Sequence, residues 1–156
     1  MKQMLVVCFL MINLVLLGGC TTNERDKVLE KFDDSKIIFS KFTEDTAGMN
    51  FKTYSVTLTN NNELPLKYLD LYFSYPILED NGSKGNTFFV IGLPSETSVE
   101  LNANKSITYT FAVNLASLDI QKVDMKNPSL KLRGYIGESI PFEISGSIGA
   151  LVKDYK

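Results

Sequence analysis

Large apolar side chains fall at every second position along Ile107, Tyr109, Phe111, Val113 and Leu115, with Thr108, Thr110, Ala112 and Asn114 between them. A period of two places the first set on one face of an extended strand and the second set on the other, whereas a helix would scatter both around its axis. Tyr54, Val56 and Leu58 repeat the pattern against Ser55, Thr57 and Thr59, and Leu130 and Leu132 repeat it against Lys131 and Arg133. Ile140, Phe142 and Ile144 form another such set, and Leu69, Leu71, Phe73 and Tyr75 line one face of a further strand beside Asp70 and Ser74. Shorter strand candidates are Ile37 to Phe42, Thr87 to Ile91 and Ser98 to Leu101.

Turn-forming residues separate these runs. Asn60-Asn61-Asn62-Glu63 and Asn102-Ala103-Asn104-Lys105 favour turn or left-handed backbone. Asp80-Asn81-Gly82 and Asn127-Pro128 punctuate two longer connections. Short alternating strands with almost no helical periodicity predict an all-β chain, a single antiparallel sandwich of seven to eight strands spanning residues 36–156. The stretch Ala116 to Met125 stays open between a crossover, a short strand and a helical turn.

Tyr54-Ser55-Val56-Thr57-Leu58-Thr59-Asn60, the aromatic run Leu66 to Tyr75 and the turn Asp80-Asn81-Gly82 together resemble the small immunoglobulin-like domains of bacterial envelope lipoproteins, including the FxLYD type. Leu101-Asn102-Ala103-Asn104-Lys105-Ser106-Ile107 is similar to a later hairpin of those domains, with Ala103-Asn104 where Pro-Gly is usual. The resemblance covers roughly residues 50–115 and implies an immunoglobulin-like sandwich. It carries no function with it, because one fold hosts many.

The other end of the chain has a different logic. Lys2 precedes an apolar run from Met4 to Leu17 broken only by Asn13. That run is shorter than the roughly 20 residues a membrane-spanning helix needs and has the length of a signal-peptide core. Leu17-Gly18-Gly19-Cys20 follows and resembles the bacterial lipobox, which implies cleavage between Gly19 and Cys20 and lipidation of Cys20. The other readings of the same residues are a secreted protein with a free Cys20 and an uncleaved membrane anchor. Acylation with palmitate-type chains would hold the protein to the extracytoplasmic side of a bacterial cell membrane, since each buried methylene contributes about 0.8 kcal/mol and two chains hold stably. Residues 20–35 then form a charged tether, in which Val28, Leu29 and Phe32 have the spacing of a helical turn or two between Glu24 and Phe32.

The missing residue types narrow the chemistry. The sequence has no His and no Trp, and its two Cys are Cys8 inside the signal and Cys20. Ser-His-Asp and Cys-His sites and His-ligated zinc therefore have no residues to build them. No Ser-x-x-Lys pattern and no glycine-rich phosphate loop occurs. Carboxylate chemistry is the remaining catalytic route, with Glu44 and Asp45, Glu79 and Asp80, and Asp119 and Asp124 as pairs that read more simply as solvated charge. Glu79-Asp80-Asn81-Gly82-Ser83 offers oxygen ligands as calcium prefers, but without the alternating acids of an EF-hand it reads as a turn, and no cofactor is expected. A formal net charge of −2 and the lack of a basic, aromatic-studded stripe argue against nucleic acid.

Recognition is what remains. With Leu69, Leu71 and Phe73 inward, Tyr68 and Tyr72 point outward, and Tyr135 opposes the Leu130 and Leu132 face. Exposed tyrosines offer rigid contact area with a polar tip. The connections Asn60 to Pro65, Glu79 to Asn86 and Ala116 to Pro128 are further recognition candidates. The expectation is a non-catalytic, lipid-anchored module that binds another envelope protein. Binding of cell-wall glycan or a small extracellular ligand through the tyrosine face is the alternative, and a carboxylate-based hydrolase comes third.

Overall fold

The computed structural model describes residues 24–46, 48, 50–97 and 100–155. The signal segment, the Gly19–Cys20 cleavage and lipidation positions, residues 21–23 of the tether, and Ser98 and Val99 of one strand candidate lie outside the described residues. Residues up to Glu30 belong to one unit, whose described part holds the helix α1 (Glu24–Leu29), and Lys31–Lys156 form a second, compact unit.

That second unit is an antiparallel β-sandwich. Its first sheet runs β1 (Ile37–Thr46), β2 (Phe51–Asn60), β9 (Lys105–Asn114), β7 (Leu93–Pro94). Its second runs β11 (Ile140–Ser147), β10 (Ser129–Ile136), β3 (Leu66–Ser74), β6 (Val90–Ile91), with β8 (Glu100–Leu101) also pairing β3. A small hairpin, β4 (Ile77–Glu79) and β5 (Gly82–Lys84), turns at Asp80-Asn81. The alternation carries through to burial: Tyr54, Val56 and Leu58 on β2 and Ile107, Tyr109, Phe111 and Val113 on β9 are buried. They face Leu71, Phe73, Leu130 and Leu132 of the other sheet, with Tyr54 stacked on Phe73 at 4.5 Å and Phe73 at 5.5 Å from Phe111. Each such side chain contributes about 1.5–3 kcal/mol by leaving water.

Six of the described strands are eight to ten residues long, and five more have two or three. The alternation predicts seven or eight strands, and the difference arises between residues 77 and 101. Thr87 to Ile91 pairs only at Val90–Ile91, because Asn86 ties the chain locally: its Nδ2 donates to the Tyr75 carbonyl at 3.0 Å and its Oδ1 accepts from the Phe88 amide at 2.9 Å. At Gly92 the chain passes from the second sheet to the first so close to the core that an added Cβ would sit 2.7 Å from Phe111 Cε1. Ala116 to Met125 is irregular after a 3-10 turn at Leu115–Ser117, and Val123 bridges back to Ile77.

The chain enters the sandwich through a fixed point. Phe32 packs at 5.5 Å from Phe142, and the Asp33 amide donates to Asn62 Oδ1 at 2.8 Å. Asn62 and Asn60, read from sequence as turn formers in a candidate recognition loop, are buried. Asn60 Nδ2 donates to the Leu64 and Leu101 carbonyls, both at 2.9 Å, while its Oδ1 accepts from the Asn62 amide at 3.0 Å. The short helix α2 (Ile148–Leu151) follows β11, and beyond it Val152 bridges Phe39 and closes the edge of β1.

Candidate functional site

The outer face of the second sheet brings Tyr68, Tyr72 and Tyr135 together around one open groove of about 470 Å3. Strand order does this: β3 and β10 are neighbours, and their register pairs Lys131 with Tyr72, Arg133 with Asp70, and Tyr135 with Lys67. Two residues separate Asp70 from Lys67 where a single residue, Gly134, separates Arg133 from Tyr135, so β3 bulges at Tyr68-Leu69. Tyr68 carries the bulge with φ +50°. Left-handed backbone costs an L-residue roughly 1–2 kcal/mol. Gly134 makes room on the inner side, where an added Cβ would lie 2.5 Å from Leu69 Cδ2 and 3.0 Å from the Lys67 carbonyl. The bulge sets the Tyr68 ring edge-on to Tyr135 at 6.1 Å and leaves it 57% exposed.

Between the tyrosines runs a charged row across three strands: Asp70, Arg133 and Glu143, joined by the β3–β10 and β10–β11 registers. Arg133 Nε donates to Glu143 Oε2 at 2.8 Å, and Lys131 Nζ lies 3.5 Å from Glu143 Oε1. The Arg133 hydrogen bond holds the Glu143 carboxyl below its ordinary range and raises the Arg133 guanidinium. The guanidinium carbon also sits 5.9 Å from the centre of the Tyr72 ring, within cation–π reach. Tyr72 donates its hydroxyl to Asp70 Oδ2 at 3.3 Å, and burial, then the Asp70 charge, raises the pKa of that hydroxyl.

Tyr72 is also one wall of a second groove of about 330 Å3, which continues along the sheet between Phe89 and the hydroxyls of Ser74, Ser129, Ser145 and Ser147. The Phe89 ring meets Tyr72 edge-on at 4.7 Å. Beyond it, at the lateral edge where β6 and β7 lie, Phe88, Ile91 and Leu93 are 58%, 56% and 71% exposed.

The three tyrosines are legible in the sequence as site residues, whereas Asp70, Arg133, Glu143, Phe89 and the apolar edge are not. Lys131 and Arg133 were legible as outward-facing from their alternation with Leu130 and Leu132, but nothing local says which strand lies beside them. At least one member of each acidic pair weighed for catalysis is engaged locally. Glu44 pairs with Lys52, Glu79 with Lys84 at 2.5 Å, Asp119 with Lys122 at 2.8 Å, and Asp124 accepts from Asn127 at 2.9 Å. Among the described residues no cluster of three or more acids and cysteines has the closeness of a metal site.

No family model matches the chain, and no curated protein matches it. Among solved structures the chain is similar to the archaellum periplasmic stator protein FlaG from Sulfolobus acidocaldarius, with a TM-score of 0.34 at 11% identity over 70% of this chain and 99% of that one. It is also similar to a β-D-glucoside glucohydrolase from Trichoderma reesei, with a TM-score of 0.32 at 16% identity over 72% of this chain and 18% of that one.

Proposed function

We propose that this chain is a non-catalytic cell-envelope lipoprotein, anchored through Cys20 on the extracytoplasmic side of the membrane, whose immunoglobulin-like sandwich acts as a protein-interaction or accessory module. The observation that carries the reading is the exposed apolar edge Phe88, Ile91 and Leu93, which adjoins the aromatic outer face of the second sheet. Exposed large apolar side chains gathered within six residues at one sheet edge suit an interaction site better than singly scattered ones, and a partner tethered in the same envelope needs only modest affinity to stay bound. The test is photo-crosslinking in cells from position 93 of the membrane-anchored chain. One stoichiometric envelope protein, lost on Ile91→Asp, supports the reading, while recovery of abundant neighbours alone, unchanged by that substitution, overturns it. Replacing Cys20 by Ala tests the anchor separately, by whether the protein still partitions with membranes.

A second reading, recognition of a glycan or a small extracellular ligand, is favoured by the groove itself, which gathers Tyr68, Tyr72 and Tyr135 with paired charges between them. Ile91 stands opposite Tyr72 in the β3–β6 register and so borders both surfaces; Tyr68 and Leu93 are the positions that separate the two readings.

A further inference from the structure

We propose that the outer groove of the second sheet is a binding site for an extended, uncharged glycan chain, laid along β10 with the Tyr68–Tyr135 pair at one end and the Tyr72–Phe89 pair farther along. The proposal rests on the second reading above and names its ligand class.

Three observations carry it. The first is the layout of charge. Protein-binding surfaces put apolar residues at the centre, deplete charge there and leave polar groups at the rim. This face is arranged the other way: Asp70, Lys131, Arg133 and Glu143 occupy its middle, and aromatic rings stand to either side. Two acids and two bases sum to zero, so the middle attracts neither sign of ligand charge. Hydroxyl groups suit it, because each one donates to a carboxylate and accepts from a guanidinium or ammonium without bringing a charge to be desolvated. The apolar face of a sugar ring packs on an aromatic ring while its hydroxyls reach sideways to such groups.

The second is length. From Tyr135 to Ser129 along β10 the lining runs about 20 Å at strand rise, which is the footprint of an oligomer and not of one ring. The far end is walled by Ser74, Ser129, Ser145 and Ser147, whose hydroxyls again match a hydroxyl-bearing ligand.

The third is Tyr68. A bulky residue at φ +50° is a genuine outlier, and its exposed ring gains the fold little beyond an edge contact with Tyr135. Gly or Asn would occupy that backbone more comfortably. Lys41 has the same backbone at the β1 bulge, so the bulge alone does not mark a site; what sets Tyr68 apart is that its strained position holds an exposed ring on the groove, as strained positions at ligand sites do.

The test uses the full chain in detergent micelles. With no Trp in the sequence, emission comes from the seven tyrosines, three of which line the groove, so the Tyr68 and Tyr135 variants assign the response to it. The probes are tetramers of β-1,4-linked N-acetylglucosamine, β-1,4-linked glucose and α-1,4-linked glucose, with an oligogalacturonate of the same length as the charged comparison. The expected result is a saturable emission change with at least one neutral tetramer, at least tenfold weaker for the oligogalacturonate and for both Tyr68→Gly and Tyr135→Ala. Tyr68→Phe, which keeps the ring, restores binding to within about threefold. Thermal unfolding run in parallel shows whether each variant is folded, and Tyr68→Gly suits its own backbone position. No saturable response to any neutral tetramer overturns the proposal, as does equal binding by folded Tyr68→Gly. A protein captured by a photoreactive residue at Pro141 and lost in Tyr68→Gly, without a tetramer response, overturns the glycan assignment and leaves protein recognition standing.

Discussion

Gly134 stands opposite Tyr68 and Leu69 in the β3–β10 ladder: Leu69 turns inward over the space its missing side chain leaves, and Tyr68 takes up the extra residue at φ +50°. Gly134→Ala puts a methyl 2.5 Å from Leu69 Cδ2 and 3.0 Å from the Lys67 carbonyl. The Leu69 methyl is able to swing aside, but the carbonyl belongs to the bulge itself, so the substitution is expected to destabilise by about 1–3 kcal/mol. Tyr68→Gly relieves roughly 1–2 kcal/mol of left-handed strain. It gives back about 0.5–1 kcal/mol in unfolded-chain entropy and about 0.5 kcal/mol or more from the lost ring contact. The net is within about 1 kcal/mol of zero, unlike Tyr72→Gly in regular strand. Urea unfolding of the three variants decides: a large loss for Tyr68→Gly removes the strain argument.

Asn60 is expected to matter more to stability than any charged residue of the surface. Its side chain serves the Leu64 and Leu101 carbonyls and the Asn62 amide at once, and it is fully buried. Asn60→Ala strands all three, at about 1 kcal/mol each, so about 3 kcal/mol in total. Asn62→Ala releases the Asp33 amide and with it the start of β1, at about 1 kcal/mol. Hydrogen exchange distinguishes the two. Asn60→Ala lowers protection across both sheets, whereas Asn62→Ala exposes mainly residues 33–38; identical patterns would contradict the local role given to Asn62.

The buried hydroxyls of Tyr54 and Tyr75 bond to each other between the sheets. Removing one leaves the other without that partner, so Tyr54→Phe and Tyr75→Phe are each expected to cost about 1–2 kcal/mol. Removing both leaves nothing stranded, and the double variant is expected to cost less than the sum by about 1 kcal/mol. Strict additivity in a double-mutant cycle would mean that the pair does not interact.

These residues also show what a sequence reveals and what it hides. Ile107 to Val113 alternates without a break, and every large apolar residue in it is buried as its period required. On β3 the alternation from Leu69 to Tyr75 places Leu71, Phe73 and Tyr75 in the core, but Leu66 is buried as well, and an odd spacing between Leu66 and Leu71 is possible only with a bulge. Its one local signal is a glycine, Gly134, amid the bulky residues of the facing strand. The Asp70, Arg133 and Glu143 row had no local signal, because it is made by strand order, and several orders accept the same alternation. Asn60 and Asn62 were legible as turn formers, but their burial follows from where β1 and β8 meet the loop, which no local pattern encodes.

Alkaline titration gives the last prediction, with the sign set by burial. Burial pushes the Tyr109 hydroxyl up from 10 to about 12, and burial likewise raises those of Tyr54 and Tyr75. A group whose folded value is raised contributes stability that is fully present below its unfolded value. Above about 10 the unfolded chain releases these protons and the folded chain does not, so stability falls as pH rises from about 10 through the folded values. Of the seven tyrosines, the buried three are therefore expected to ionise only as the sheets come apart. Absorbance of tyrosinate should rise in two phases, the first with far-ultraviolet circular dichroism unchanged and the second cooperative with its loss. Tyr109→Phe removes one of the groups driving that collapse, at the cost of its hydrogen bond to the Leu69 carbonyl at 3.2 Å, and should move the second phase to higher pH. A single phase near 10 that precedes any loss of sheet signal would mean that water already reaches these hydroxyls in the folded chain.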